Sequence, residues 1–152
     1  MINYNEIEGD LIALAKEGKF DVIAHGCNCF CKMKRGIAPQ MSKAFGCDKF
    51  DFENEKFSGD IRKLGNIDYR SINGLLVVNA YTQYNWSTET KPFDYDAFTL
   101  CMRKMNNIFS GLHIGLPKIG SHLAGGNWNI IKSTIQQELK DCKVTIVIFK
   151  EK

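Results

Sequence analysis

The chain has 152 residues, close to the commonest size of one globular domain, and its 44% hydrophobic and 24% charged residues suit one buried core. That composition argues against two domains and rules out a coiled coil, a collagen-like fibre or a disordered tail. Twenty Lys and Arg against seventeen Asp and Glu leave a net charge of +3, too small and too evenly spread to mark a protein that grips polymeric nucleic acid. No basic start leads into an apolar run and no eighteen consecutive apolar residues occur. Neither secretion nor membrane spanning is therefore expected, and the expected compartment is the cytoplasm.

The period of the apolar pattern switches repeatedly between strand and helix, which predicts an α/β fold. Residues 21–27 (Asp-Val-Ile-Ala-His-Gly-Cys) read as a buried strand. Ile37, Met41, Ala44 and Phe45 then fall at helical spacing, with Pro39 in the first turn and Gly46 as the stop. Residues 66–72 and 74–82 pair across Asn73-Gly74, a hairpin signal that brings antiparallel pairing into the middle of the chain. Asp94 caps a long helix whose Tyr95, Phe98, Met102, Met105 and Phe109 form one apolar stripe, expected in the core. Residues 112–116 make a strand, 117–126 a glycine-bearing loop, and Asn127 caps a helix with Trp128, Ile131, Ile135 and Leu139 facing inward. Residues 143–149 close the pattern as a strand. A mixed sheet with helices on both faces is the most economical arrangement.

Six cysteines (Cys27, Cys29, Cys31, Cys47, Cys101 and Cys142) in a chain of this size and expected compartment read as reduced thiols. His25, Cys27, Cys29 and Cys31 invite a metal reading. In a strand, however, alternate side chains stand about 6.6 Å apart, whereas two sulfurs on one zinc lie under about 4 Å apart. No metal is expected.

In α/β sheets ligands bind where strands lead into helices, so the loops at 26–36 and 117–126 are the places to search. Gly120, Gly125 and Gly126 ahead of Asn127 can aim several backbone N–H groups at one point beside a helix start, a recipe for an anion. The same glycines also serve a loop that simply turns. Neither the Walker pattern nor the dinucleotide fingerprint is present, because Gly126-Asn127 stands where Lys and Ser or Thr belong and no G-x-G-x-x-G follows a strand. His25 suits either a satisfied core histidine or a ligand-facing group, His122 lies inside the glycine loop, and His113 has no such context.

Three stretches carry a family pattern: Gly9-Asp10-Leu11-Ile12; residues 22–28 (Val-Ile-Ala-His-Gly-Cys-Asn) with Gly36-Ile37-Ala38; and residues 116–128 (Leu-Pro-Lys-Ile-Gly-Ser-His-Leu-Ala-Gly-Gly-Asn-Trp). Together they resemble the macrodomain family, and more closely its stand-alone branch of ADP-ribose 1″-phosphate phosphatases and terminal ADP-ribose protein glycohydrolases, with relatives in bacteriophages. The resemblance covers essentially the whole chain and implies a three-layer α/β/α macrodomain with a mixed central sheet, a monomer by default. It matches Asp10 to the aspartate that takes the adenine amino group, with Leu11 beside it, although Asp10 also suits a helix cap ahead of a segment ending near Lys16. Phe149 matches an aromatic position against the adenine. The loop formed by Gly120, Ser121, His122, Leu123, Ala124, Gly125 and Gly126 matches the pyrophosphate loop, and Asn28, Gly36 and Ile37 match the loop around the distal ribose.

Departures shape the expected chemistry. His25 stands where the family often has asparagine and resembles the phosphatase branch there. The lysine of the glycohydrolase branch falls near Gln83 and its aspartate near Ala124, so a lysine-adduct route is not supported. The resemblance therefore implies hydrolysis of ADP-ribose 1″-phosphate to ADP-ribose and phosphate, with His25 as acid or base through an imidazole that titrates near neutral pH and Asn28 orienting substrate or water, and with no cofactor. A non-catalytic ADP-ribose-binding module and a hydrolase acting on modified proteins are the alternatives. Direct nucleic-acid and membrane partners are not expected. Lys32, Lys34, Arg35 and Lys118 in or beside the two loops suit a small anionic nucleotide.

Overall fold

In the computed structural model, residues 3–33, 36–54, 58–86, 92–120 and 125–149 are described, the side chains of 51–54 excepted. Six strands and four helices follow one another as β1 (Tyr4–Glu8), α1 (Leu11–Lys16), β2 (Val22–Asn28), α2 (Ala38–Phe45), β3 (Ile67–Ile72), β4 (Leu75–Gln83), α3 (Tyr95–Ile108), β5 (His113–Leu116), α4 (Trp128–Glu138) and β6 (Lys143–Ile148). The strands form one sheet in the order β1-β6-β5-β2-β4-β3. All neighbours run parallel except β3 and β4. The expected mixed sheet is thus present.

Strand alternation sorts the core into two layers. Val22, Ala24, Val78, Ala80, Ile114 and Leu116 pack on one face against Phe98, Met102 and Met105 of α3 and Ile131 and Ile135 of α4. Ile23, Val77 and Val147 pack on the other against Leu11 and Ala15 of α1 and Met41 of α2. Central strands buried on both faces read as near-continuous apolar runs, which is why β2 and β4 were legible.

Punctuation residues act where expected. Asn73 (φ 52°) and Gly74 (φ 83°) both take left-handed conformations, as a two-residue hairpin turn requires. Asp10, Asp94 and Asn127 each cap a helix with a side-chain oxygen, and Gly46 ends α2 in the left-handed conformation. Two 3-10 stretches, Cys47–Asn54 and Ile61–Lys63, fill the long connection from α2 to β3. Their tighter pitch leaves no 3.6-residue period to read.

One side chain lies outside its expected layer. Tyr95 opens α3 with 38% of its surface exposed, so the buried stripe begins at Phe98. The last strand ends at Ile148, one residue short of the expected 149, and Phe149 beyond it is 68% exposed.

Gly115 of β5 is pressed against Phe20, and a β-carbon there would come within 2.8–2.9 Å of three ring atoms. Gly115→Ala is expected to lower stability by about 1–3 kcal/mol. Thermal unfolding of this variant alone and combined with Phe20→Leu is the check. The smaller side chain should recover part of the loss, a coupling that residues in contact show and distant ones do not.

Candidate functional site

β5 and β2 are neighbours whose chains leave the sheet toward opposite faces, β5 into α4 and β2 into α2. They pair only through Val22 with Ile114 and Ile23 with Gly115, whereas β2 stays paired with β4 from Val22 to Asn28. Beyond Gly115 the two strands part, and the crevice lies at their carboxyl ends, where open α/β sheets bind ligands. Ile119 crosses this opening so closely that a β-carbon on Gly26 would lie 2.9 Å from its Cγ2. Gly26 is the space that lets the β5 loop rest on β2.

The glycine loop is tied shut at its base. The Gly126 N–H donates to the Gly120 carbonyl at 2.7 Å, and Gly120 (φ 70°) and Gly125 (φ 82°) take left-handed conformations at either end. A β-carbon on Gly120 would collide with the Phe93 ring, and one on Gly126 would lie 2.7 Å from the Gly120 oxygen. Asn127 then starts α4, its side chain accepting from the Asn129 N–H at 2.9 Å while its own N–H donates to the Tyr95 hydroxyl at 2.8 Å. A loop closed in this way beside a helix start suits an anion. Ser121, His122, Leu123 and Ala124 lie outside the described residues.

On the other side of the crevice, Asn28 is 6% exposed. Its Oδ1 accepts from the Phe30 and Lys32 N–H groups (3.0 and 3.1 Å), and its Nδ2 donates to the Lys32 carbonyl (3.0 Å). The side chain expected to orient substrate or water is engaged in shaping its own loop. Gly36 (φ 63°) is exposed, and its left-handed conformation, not crowding, requires glycine there. Ile37 packs half-buried on the α1/α2 layer. Lys63, fully buried, donates from Nζ to the Cys29 carbonyl at 3.0 Å and braces the same loop from beneath.

Asp10 and Phe149 leave the sheet at one corner. Glu8 and Ile148 are the last register partners of β1 and β6, and the Gly9 N–H donates to the Ile148 carbonyl at 3.0 Å. The Asp10 Oδ1 accepts from the Ile12 and Ala13 N–H groups (3.0 and 3.1 Å), so the helix-cap role is present, while Leu11 is buried in the α1/α2 layer. From this corner to β2 is three strand spacings, about 14 Å.

His25 is not in the crevice. It is fully buried in β2 with its Nε2 2.9 Å from the Asn79 Oδ1, 3.3 Å from the Cys27 Sγ and 3.6 Å from the Cys47 Sγ. The Asn79 Nδ2 donates to the Cys47 carbonyl, which turns Oδ1 toward the ring and places the ring proton on Nε2. Burial lowers the pKa to about 4 against the opposing pull of Asn79, so the imidazole is neutral at pH 7. The titration near neutrality that an acid–base role requires is absent at this position. Burial likewise raises the thiols of Cys27, Cys29 and Cys47, which are inert in this state. Among the described residues no group of three or more His, Cys, Asp or Glu is arranged to hold a metal ion.

No family model matches the sequence. An uncharacterized 17.5 kDa protein from the tk-vs intergenic region of Enterobacteria phage T4 is 35% identical over 153 aligned positions, covering 93% of both chains. Among solved structures, a Bacteroides thetaiotaomicron protein of unknown function is 26% identical with a TM-score of 0.74, covering 95% of this chain and 97% of its own. The macrodomain of Thermus aquaticus DarG superposes with a TM-score of 0.64 at 18% identity, covering 97% of this chain and 98% of its own. The chain belongs to one family with the phage protein, and its fold is the macrodomain fold. Thermosipho africanus DarTG, solved in complex with ADP-ribose, superposes with a TM-score of 0.72 at 12% identity over 95% of this chain and 40% of its own.

Within this fold, sequence reasoning missed the residues that join β4 to the glycine loop. Cys27 pairs with Tyr81 and Asn28 with Gln83, which leaves Thr82 as the extra residue of a β-bulge. The Thr82 carbonyl accepts from the Asp94 N–H at 2.9 Å and Gln83 bridges Phe93, so one segment ties the bulge to the ring that the glycines enclose. The Thr82 hydroxyl is fully buried beside Gly26 and, like the His25 Nδ1, has no hydrogen-bond partner among the described residues. Bulges gather beside functional sites, and Thr82 carried no signal beyond an ordinary strand position. Gln83 donates from Nε2 to the Asn85 carbonyl at 2.8 Å.

Two outcomes follow from this geometry. The unfolded chain protonates His25 near pH 6.5 and the folded chain only near 4, so the unfolded state binds more protons between those values. Stability should be full above about pH 6.5 and fall by about 3 kcal/mol as pH drops to 4, a slope that His25→Gln removes in denaturant titrations. Thr82→Val deletes an unpaired buried hydroxyl at nearly constant volume and should raise the stability of the free protein by about 1–3 kcal/mol, read as a higher melting temperature.

Proposed function

We propose that the crevice binds ADP-ribose, with adenine at the Asp10/Phe149 corner, the pyrophosphate in the Gly120–Gly126 loop and the distal ribose against the loop from Asn28 to Ile37. One observation carries this reading: the three loops leave adjacent parallel strands in the order β1/β6, β5, β2, on an edge that opens between β5 and β2. An extended dinucleotide-like molecule with a charged middle matches that order. Support also comes from the shared fold of Thermosipho africanus DarTG, which was solved with ADP-ribose. Lys118 lies over the Trp128 ring and Lys32 near Trp86, so a described cation stands on each side of the opening.

The substrate favoured within this reading is ADP-ribose 1″-phosphate, its terminal phosphate held at the β2 loop and released by water as inorganic phosphate. His25 contributes as a neutral, buried support of β2 rather than as the proton carrier. A binding module without turnover is the second reading, and the observation that favours it is that same buried ring together with Gln83 and Asn28 being engaged in their own loops. In either case one domain acts as a cytoplasmic monomer without metal or cofactor.

Calorimetry with ADP-ribose tests the binding. Asp10→Asn keeps the helix cap, because Asn and Asp cap equally well, but turns a donor toward the adenine amino group. Its melting temperature should stay near that of the wild type while affinity falls about tenfold, the loss of roughly one hydrogen bond to a charged group. Wild type that takes up no ADP-ribose sinks the reading. Phosphate release from ADP-ribose 1″-phosphate separates hydrolase from binder, since the binder forms complex and no product.

A further inference from the structure

We infer that Phe30, Tyr84 and Trp86, with Lys32 beside them, form a second subsite that takes one nucleotide, its base on the rings and its phosphate on the lysine. The subsite extends the ADP-ribose reading by one strand and rests on it only for what lies next door. Its place follows from the backbone. β4 borders β2 on the side away from β5, and the two run parallel in register as far as Asn28 and Gln83. Pairing continues one step past the sheet, where the Cys29 N–H donates to the Tyr84 carbonyl at 2.9 Å. Phe30 therefore follows β2, and Tyr84 and Trp86 follow β4, at the same carboxyl edge that holds the crevice. One strand spacing, about 5 Å, separates the two exits.

The three rings hold one another. Phe30 meets Tyr84 at 5.1 Å and 74° and Trp86 at 5.1 Å and 82°, both in edge-on contact. Gly59 locks the cluster from the side. A β-carbon on Gly59 would stand 2.6 Å from the Phe30 ring, its carbonyl accepts from the Tyr84 hydroxyl at 2.8 Å, and its N–H donates to the Cys29 carbonyl at 2.8 Å. Rings fixed this firmly ordinarily belong to a core, yet Tyr84 keeps 37% and Trp86 48% of its surface exposed. Fixed, wet aromatic surface suits a flat partner, because a base that stacks on it finds the rings already ordered. The Lys32 Nζ lies 6.0 Å from the centre of the Trp86 ring, so a cation stands at the rim of the platform. A phosphate by itself would use the lysine and leave the rings bare, and an uncharged sugar would do the reverse. A nucleotide uses both. The net charge of +3 suits one such unit better than a polymer.

Trp86 and Trp128 are the two tryptophans of the chain, so nitrogen-labelled protein gives two indole N–H resonances. With ADP-ribose at saturation to fill the crevice, cytidine 5′-monophosphate at millimolar concentration should move the Trp86 resonance and leave that of Trp128 in place. Cytidine should bind about two- to fivefold more weakly, the worth of one exposed charge pair, and ribose 5-phosphate should not move Trp86. Trp86→Ala, followed on the Tyr84 amide, should weaken the nucleotide at least about fivefold, the low end for one stacked base. Lys32→Gln should bring the nucleotide down to the level of cytidine. A Trp86 resonance that ignores cytidine 5′-monophosphate overturns the subsite, and so does an equal response to ribose 5-phosphate. ADP-ribose uptake by the same sample keeps the earlier reading apart. That reading stands if ADP-ribose binds and the nucleotide does not, and it falls alone if the nucleotide moves Trp86 in protein that takes up no ADP-ribose. A cytidylate tetramer that binds more tightly than the monomer names a strand as the source, and equal binding names a free nucleotide, the subsite holding in both cases. Should Trp86→Ala not fold, the wild-type titration decides by itself.

Discussion

Everything that makes this molecule a candidate for binding depends on where two parallel strands stop being neighbours. Hydrogen bonds hold β5 to β2 for two residues, and then one chain runs on to α4 and the other to α2. The topology cannot close that gap with backbone, so side chains and loops must do so. Gly26 yields its volume to Ile119, the bulge at Thr82 re-aims the end of β4, and the loops from both strands lean over the opening. Breaking the sheet at this point creates the site.

Rigidity around the opening comes from packing. Phe93 presses into two glycines that have no room for a side chain, and its neighbour Asp94 is tied to Thr82 through the backbone. Interiors are close-packed enough that such an arrangement transmits strain instead of absorbing it. Asn28 performs the corresponding task on the β2 side through three hydrogen bonds within five residues. A binding loop organised before its ligand arrives loses less conformational freedom on binding.

Much of this was legible from residues alone because it rests on local physics. The buried strands, the Asn73-Gly74 hairpin, the Asp94 and Asn127 caps and the glycine loop each follow from short-range geometry, and each lies where its residues place it. What was hidden depends on neighbours distant in sequence. His25 can be a ligand-facing group or a core residue by spacing alone, and Asn79 and Cys47, fifty-four and twenty-two positions away, make it the latter. Tyr95 shares a helical stripe with core residues, but it opens α3, stands partly exposed and takes the Asn127 N–H on its hydroxyl. Asn28 resembles a ligand contact by motif, yet the amides of Phe30 and Lys32 occupy its oxygen. Thr82 and Lys63 have no local signature, since a bulge and a buried ammonium exist only through their partners.

The pairing of β1 with β6 has a temporal consequence. Tyr4 lies beside Val144 and Glu8 beside Ile148, so this edge of the sheet joins segments about 140 residues apart. During synthesis the hairpin of β3 and β4 can assemble from nearby chain, whereas β1 has to wait for β6 to leave the ribosome. The corner at which Asp10 and Phe149 leave the sheet is therefore the last part of this edge to form.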